Sequence, residues 1–427
     1  MLLQTSFFNN KLRNRDRLYL GEGRSVFLVN YGKVDLKLAS PAALVIIFAA
    51  VDTPLCTIII IPREKFSFAA RTYKSLCAHN PSAYPVIYVD SCSPQPWSGH
   101  LDSLAAEGKI TLIRAGFHLS QHEAFNLAVP HVRTKYVTFI DNDILLTPGW
   151  AENLVTCAEE TGASAVMPIV EEREKDRDWH IHMCGGDCGV EERDGQLWFR
   201  EIHPLHGQAK SDLQRCQTGV VEYHALLVRN EALQKVGPFD ESYWPALDHT
   251  DFSLMIRASG GTLWIEPSSV VRYGLPPPLE FQDLSFFMTR WNDDLVRLNQ
   301  QHFAKKWGVQ FSPNHALWYS QFRRRDLYSI RAMVRRRFGS FAGKTVYRFL
   351  CPVEAFVSRI VQAWNRVPNR RQRLEALGSW RAPELDRARV QAFADTIFRS
   401  PRPLQRELVV SDESIASSSD PNATVPT

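Results

Sequence analysis

The sequence predicts an α/β chain built on a mostly parallel sheet with helices on both faces, and three observations carry that prediction. Short apolar, β-branched runs recur between segments whose apolar residues fall at helical spacing, the pattern of successive βαβ units. Several of these runs end in polar turns that carry carboxylates, which is where open α/β sheets place their chemistry. The chain of 427 residues, 44% hydrophobic and 22% charged, is long enough for a large core and has the balance of a globular protein.

The elements follow in order. Cys56–Ile61 is a near-continuous apolar run stopped by Pro62, and Phe66–Ala78 continues at helical spacing. Pro85–Val89 is the next strand, ending in Asp90-Ser91-Cys92-Ser93, and Lys109–Ile113 the third. Ser120–Val132 reads as a helix feeding a strand at Tyr136–Ile140, which delivers Asp141 and Asp143 to its C-terminal end. A helix at Trp150–Thr161 leads to Ala165–Ile169, after which Glu171–Arg215 is charged and rich in His and reads as hairpins and an irregular loop. Strand and helix resume at Val220–Val228 and Glu231–Val236. Asp248-His249-Thr250-Asp251 opens a further helix, with Asp248 as its cap, and Gly260-Gly261 closes it before short strands at Thr262–Ile265 and Val270–Tyr273.

Composition divides the chain further. Residues 1–53 read as an extension with a hairpin formed by Arg24–Val29 and Lys33–Leu38, 54–308 as the main domain, 309–408 as a basic helical region and 409–427 as a disordered tail. Leu284–Trp307 and Leu327–Phe349 carry helical patterning. The formal net charge of +4 is local: between Arg323 and Arg348 stand eight Arg and one Lys against one acid, so the rest of the chain is slightly acidic. That distribution gives no argument for nucleic acid as a partner, whereas a basic helix with an apolar stripe suits a packed helix or peripheral contact with an anionic membrane. The eight scattered cysteines do not form a disulfide framework and point to a reducing, cytoplasmic compartment. No signal peptide is visible, and the most apolar stretch, Ala42–Ile61, is broken by Asp52-Thr53-Pro54, so no spanning segment is expected.

Asp141 and Asp143 carry the first chemical suggestion, since two acids at a strand end can hold a hard divalent cation that in turn holds phosphate oxygens. Alone, Asp-x-Asp is equally a strand-end turn. His180, His182, Cys184, Cys188, His203, His206 and Cys216 are competent zinc ligands, but their spacing matches no paired pattern of structural zinc sites.

The order of pieces resembles glycosyltransferase family 2. The matching residues are Ile58–Pro62 as first strand, Val89-Asp90-Ser91-Cys92-Ser93, Asn126, Phe139-Ile140-Asp141-Asn142-Asp143, Gly237-Pro238-Phe239-Asp240-Glu241, Asp248–Gly260 in place of "Glu-Asp-x-Asp…Arg…Gly", and Phe303–Gly308 as "Phe…Lys-Trp-Gly". The resemblance spans roughly Leu55–Gly308. It implies a GT-A fold and inverting transfer from a nucleotide-sugar to a hydroxyl of a glycan or lipid-linked glycan, with a polysaccharide of the cell surface as the setting. It places Mn2+ or Mg2+ on Asp141 and Asp143, the nucleotide base near Asp90, and Pro62, Arg63 and Glu64 along the donor pocket. The general base falls on Asp248 or His249, because the usual "Glu-Asp" is replaced by Asp-His. Arg272 stands where relatives carry a third metal ligand, and as a guanidinium it suits the diphosphate directly. Trp179, Trp198, His206 and Trp244 are the expected acceptor contacts, aromatic faces being suited to sugar rings. Two alternatives remain open at this point: a nucleotidyltransferase, against which the glycine-free Pro62-Arg63-Glu64-Lys65-Phe66 counts, and a degenerate domain that binds sugar without transferring it.

Overall fold

The computed structural model describes 17–20, 24–27, 54–63, 65–80, 84–173, 178–202, 213–244, 246–273, 280–312 and 352–381, with single residues and short pieces among 339–350 and at 392. Two compact units result, Met1–Pro54 and Leu55–Thr427. In the first, β1 (Arg17–Leu20) pairs antiparallel with β2 (Arg24–Phe27). The expected hairpin partner Lys33–Leu38, the arginine run at 323–337 and the tail at 409–427 lie outside the described residues.

The second unit is organised on a ten-stranded sheet. Its parallel half consists of β3 (Cys56–Ile61), β4 (Val86–Ser91), β5 (Thr111–Ala115) and β6 (Tyr136–Asp141), joined in the order β6-β3-β4-β5. Ile58, Ile59, Ile60 and Ile61 are fully buried, as a β-branched run covered on both faces must be. Each such side chain stabilises the fold by roughly 1.5–3 kcal/mol. Helices α1 (Ala69–Ala78), α2 (Trp97–Ala106) and α3 (Gln121–Ala128) make the crossovers. Sequence patterning missed α2 because Pro94 and Pro96 precede it and its apolar face is narrow. All eight residues of α3 are buried, and its start is fixed by a capping box between Ser120 and Glu123.

Beyond β6 the sheet changes direction. The short β7 (Ile144–Leu146) leads to α4 (Trp150–Thr161), β8 (Ala165–Glu172) and β9 (His180–Met183); β10 (Asp187–Arg193) and β11 (Gln196–Ile202) form a separate hairpin. β12 (Cys216–Thr218) is followed by β13 (Ala225–Arg229), which is inserted antiparallel between β6 and β8. After α5 (Asn230–Val236) and α6 (Asp248–Ala258), one long strand, β14 (Leu263–Tyr273), replaces the two expected short ones. It pairs parallel with β8 and absorbs the irregularity as a register shift between Glu266 and Val270, so the backbone stays in one ladder across Pro267.

The segment expected as a single helix, Leu284–Trp307, is two: α7 (Leu284–Arg290) and α8 (Asp293–Trp307). Asn292 breaks it by accepting from the backbone N–H groups of Asp294 and Leu295, an N-cap that competes successfully with helix continuation. Further helical turns over 352–364 (α9) precede α10 (Arg370–Ala376). The end of the described chain docks on α3, where Arg370 meets Glu123 at 2.5 Å and the Trp380 N–H donates to the Asn126 carbonyl at 2.6 Å.

Candidate active site

The centre of the site follows from one register. β13 runs antiparallel to β6 with Ala225 opposite Ile140, so the residue before it, His224, falls beside Asp141 at the end of β6. His224 Nδ1 lies 2.9 Å from Asp141 Oδ2, and Gln121 Nε2 donates to Oδ1 at 2.8 Å. Arg63, just past the end of β3, forms an ion pair with Asp141 and sits 2.9 Å from His224 Nδ1. The Arg63 backbone N–H also donates to Asn142 Oδ1 at 3.0 Å, tying the β3 and β6 turns together. Asp141, Asn142 and Asp143 are all buried. Burial alone would raise the Asp141 pKa, but the Arg63 guanidinium and His224 outweigh it and hold the carboxyl well below the usual range.

A second cluster adjoins the first. His224 Nε2 is 3.0 Å from Glu222 Oε2, and His182 Nδ1 is 2.9 Å from Glu172 Oε2. The two imidazoles stand 5.4 Å apart, and both pack on the ring of Tyr273. One ligand atom from each of His182, Glu222 and His224 lies within 4.8 Å of the others. Burial and Arg63 depress the His224 pKa, yet Asp141 and Glu222 prevail and it rises above the ordinary value. At His182 burial wins over Glu172 and the pKa falls.

The third cluster sits at the start of α6. Leu247, in the left-handed region at φ 66°, precedes the helix, so Asp248 is its first residue and not the expected cap. Asp248 Oδ1 accepts from the His249 backbone N–H at 3.0 Å and lies 3.3 Å from His249 Nδ1. His249 Nε2 is 3.3 Å from Glu201 Oε1, and the Thr250 hydroxyl donates to Glu201 Oε2 at 2.8 Å. Burial opposes a charge on His249, but Asp248 and Glu201 raise its pKa well above 6.5. The imidazole thus lies between two acids that favour its charged form. For Asp248, burial is outweighed by His249 and the pKa is lowered. The clusters adjoin through Tyr223, which stands between Glu222 and His224 in sequence and donates its hydroxyl to the Asp248 carbonyl at 3.3 Å.

Other residues singled out by sequence stand apart or have structural partners. Asp90, at the end of β4, binds Arg114 Nε at 2.7 Å and accepts from the Ser93 N–H at 2.9 Å, a closed turn at the strand end. Arg272 contacts Glu171 at 3.1 Å and lies over Trp179. Trp244 packs beside Phe286 and under Arg370, while Trp198 lies on β11 and bridges to Gln310. Pro62 is buried after β3. Glu64, His203 and His206 lie outside the described residues. Asp251 is tied to Lys306 at 2.8 Å and to the Trp307 indole at 2.8 Å, which explains the Lys-Trp-Gly segment as an anchor for α6. Asn126 both donates to the Phe239 carbonyl and accepts from its N–H, at 2.9 Å each, so it pins the Gly237–Glu241 turn.

Sequence reasoning missed Gln121, Glu222 and His224. Glu222 and His224 lie in the turn just before β13, where their side chains meet at 3.0 Å. Nothing in the sequence showed which strand end that turn would meet.

Residues 57–237 match the sequence model of Glycosyl transferase family 2. A curated relative, putative polypeptide N-acetylgalactosaminyltransferase 9 of Drosophila melanogaster, is 23% identical over 269 residues, which is 60% of this chain and 40% of that protein. The chain therefore spans well under half the length of this relative. Among solved structures, GalNAc-T7 with UDP, GalNAc and Mn2+ is similar at 15% identity and TM-score 0.41, covering 65% of this chain and 58% of that one. The mannosyltransferase PcManGT from Pyrobaculum calidifontis, in complex with GDP-Man and Mn2+, is similar at 16% identity and TM-score 0.39, covering 76% and 86%.

Proposed function

We propose, from the premise that residues 57–237 are a Glycosyl transferase family 2 domain on an α/β sheet of the GT-A type, that the chain transfers a sugar from a nucleotide-sugar to a glycan hydroxyl with inversion at the anomeric carbon. Glycosyl transfer is the activity of the family; inversion, the glycan acceptor and a role in cell-surface polysaccharide assembly are our reading. The observation that carries it is the placement of the β6 acids next to the start of α6: His224 meets Asp141, and its neighbour Tyr223 donates to the Asp248 carbonyl. A leaving diphosphate and an attacking hydroxyl need such opposed groups in one cleft.

In this reading Asp141 orients Arg63 and His224, since its two oxygens already meet Gln121, Arg63 and His224. Asp143 is assigned to the diphosphate side, where a divalent cation, Mn2+ or Mg2+, would offset the charge that grows on the leaving group. Arg63 and Arg272 supply fixed positive charge to the same phosphates. On the acceptor side Asp248 takes the hydroxyl proton as oxygen attacks the anomeric carbon, and His249, held protonated, keeps that carboxylate oriented. Asp90 is assigned to the nucleotide base, with Arg114 as its positioning partner. Trp179, Trp198 and Trp244 are candidates for the acceptor sugar. No described helix is long and apolar enough to cross a membrane, and contact with a lipid-linked acceptor would be peripheral.

The test is UDP and GDP binding with and without Mn2+, followed by a hydrolysis screen over nucleotide-sugars that begins with the UDP-linked N-acetylhexosamines. Asp143→Ala is expected to remove metal-dependent diphosphate binding, and Asp248→Asn to lower kcat with a true acceptor while sparing donor binding. Absence of diphosphate binding under every condition would sink the transferase reading.

A further inference from the structure

We propose that His182, Glu222 and His224 bind a divalent transition-metal ion through two imidazole nitrogens and a carboxylate oxygen, with Glu172 and Asp141 holding the two rings from behind. The ligand set differs from the Asp-x-Asp pair: Asp143 takes no part, and Asp141 only positions the His224 ring.

Four observations support it. Ligands about 2.0–2.2 Å from a common ion lie about 3–4 Å from one another, and the three ligand atoms here fall within 4.8 Å, a small side-chain adjustment away. Each imidazole also has an acid at Nδ1: Glu172 Oε2 lies 2.9 Å from His182 Nδ1, and Asp141 Oδ2 lies 2.9 Å from His224 Nδ1. Metal-binding histidines almost always donate their second N–H in this way, which fixes the ring and leaves Nε2 for the ion. At His224 this contact is a hydrogen bond, whereas at His182 the carboxylate stands beside Nδ1 as an ion-pair neighbour; the two residues are brought together from β9 and from the entry to β13.

Charge is the third observation. Among the described residues, three carboxylates, Asp141, Glu172 and Glu222, and one guanidinium, Arg63, lie against the two rings, so acids outnumber bases in a largely buried setting. Two protons on the imidazoles or one divalent ion would offset the excess. Fourth, the site is rigid. The Tyr273 ring packs 5.4 Å from His182 and 5.1 Å from His224, and both histidines lie on or beside strands of the main sheet.

The donor set decides the class of ion. Imidazole suits Zn2+, Co2+ and Fe2+ and tolerates Mn2+, whereas Mg2+ and Ca2+ prefer all-oxygen sites. Three protein ligands leave coordination positions open, as in metal sites that bind a substrate or water.

The experiment uses the full chain, stripped with chelator and titrated calorimetrically with Zn2+, Mn2+ and Mg2+ in the absence of any nucleotide, with Co2+ absorbance to report imidazole ligation. One equivalent of Zn2+ and of Co2+ is expected, with Mg2+ binding at least 100-fold weaker. His182→Gln and Glu222→Gln should weaken Zn2+ by 100-fold or more, Glu172→Gln by 10–100-fold, and Asp143→Ala should leave Zn2+ binding intact. Melting curves of the metal-free variants check folding. Glu222→Gln and His182→Gln, at partly exposed positions, carry the test if His224→Gln does not fold. Equal affinity for Mg2+ and Zn2+, Zn2+ binding unchanged in both His182→Gln and Glu222→Gln, or its loss only in Asp143→Ala would each overturn the proposal. Because no donor is present, metal binding without sugar transfer would refute the proposed function alone, and sugar transfer without Zn2+ binding would refute this inference alone.

Discussion

At the scale of single residues, the buried Arg63–Asp141 pair is the contact whose loss should be felt most. Removing one member of a buried pair leaves an uncompensated charge, at a cost of about 3–5 kcal/mol. His224 and Gln121 remain to hold Asp141, so Arg63→Met should lose roughly 2–3 kcal/mol in urea denaturation, below that range. A variant as stable as the parent would show that the pair is not formed. His249 offers a second test. Its pKa is raised above 6.5 in the folded chain, so the stabilisation from the charged ring is complete below about pH 6.5 and fades as pH rises through the folded value. The stability gap between the parent and His249→Gln should therefore narrow from pH 6 to pH 9 in thermal melts. A gap that widens would contradict the protonated state. The position of Asp141 at the end of a buried strand was readable from Val137–Asp143, but its partners were not. Gln121 and His224 are 20 and 83 residues away, on a helix and just before a strand whose contact depends on packing.

At the scale of elements, α6 is held by α8. Asp251 on the first turn of α6 meets Lys306 and Trp307 near the end of α8, and Lys306 also meets Asp240 at 2.9 Å. Asp251→Ala strands part of a buried ammonium and should lower stability by roughly 3 kcal/mol, with a fall in transfer activity because Asp248 and His249 ride on the same helix. Asn292→Ala removes the cap that starts α8 and should cost about 1 kcal/mol, read as a lower melting temperature with activity retained at low temperature. The parallel strands were legible because continuous β-branched runs stopped by Pro or Gly have few other structures open to them. The break at Asn292 was not, since the residues on both sides keep helical spacing and the cap competes by a local hydrogen bond. The single strand β14 was likewise hidden, because Pro267 and two serines read as a turn while the ladder to β8 spans them.

At the scale of the whole unit, residues 370–381 pack against α3 and the turns beside it. Arg370 binds Glu123 and the His118 carbonyl, and its guanidinium lies over Phe117 and Trp244, while Arg381 reaches Glu241 at 3.3 Å. Arg370→Ala should release 370–381 from α3, seen as faster proteolytic cleavage in that stretch. Cleavage at the parent rate would place the anchor elsewhere. Composition marks 309–408 as basic and helical because it reports residue type, whereas the contacts of Arg370 and Arg381 with Glu123 and Glu241 are long-range and invisible to it.

The sequence by itself determined the α/β class, the order of the parallel strands' residues, the family resemblance and the position of Asp141 and Asp143 at a strand end, because local propensity and hydrophobic periodicity act over a few neighbouring residues. Tertiary structure alone decided that β13 lies antiparallel beside β6, and with it that His224, Glu222 and His182 meet at the same end of the sheet. Strand register is set by which faces can be buried together, a property of the whole core that no window of sequence contains.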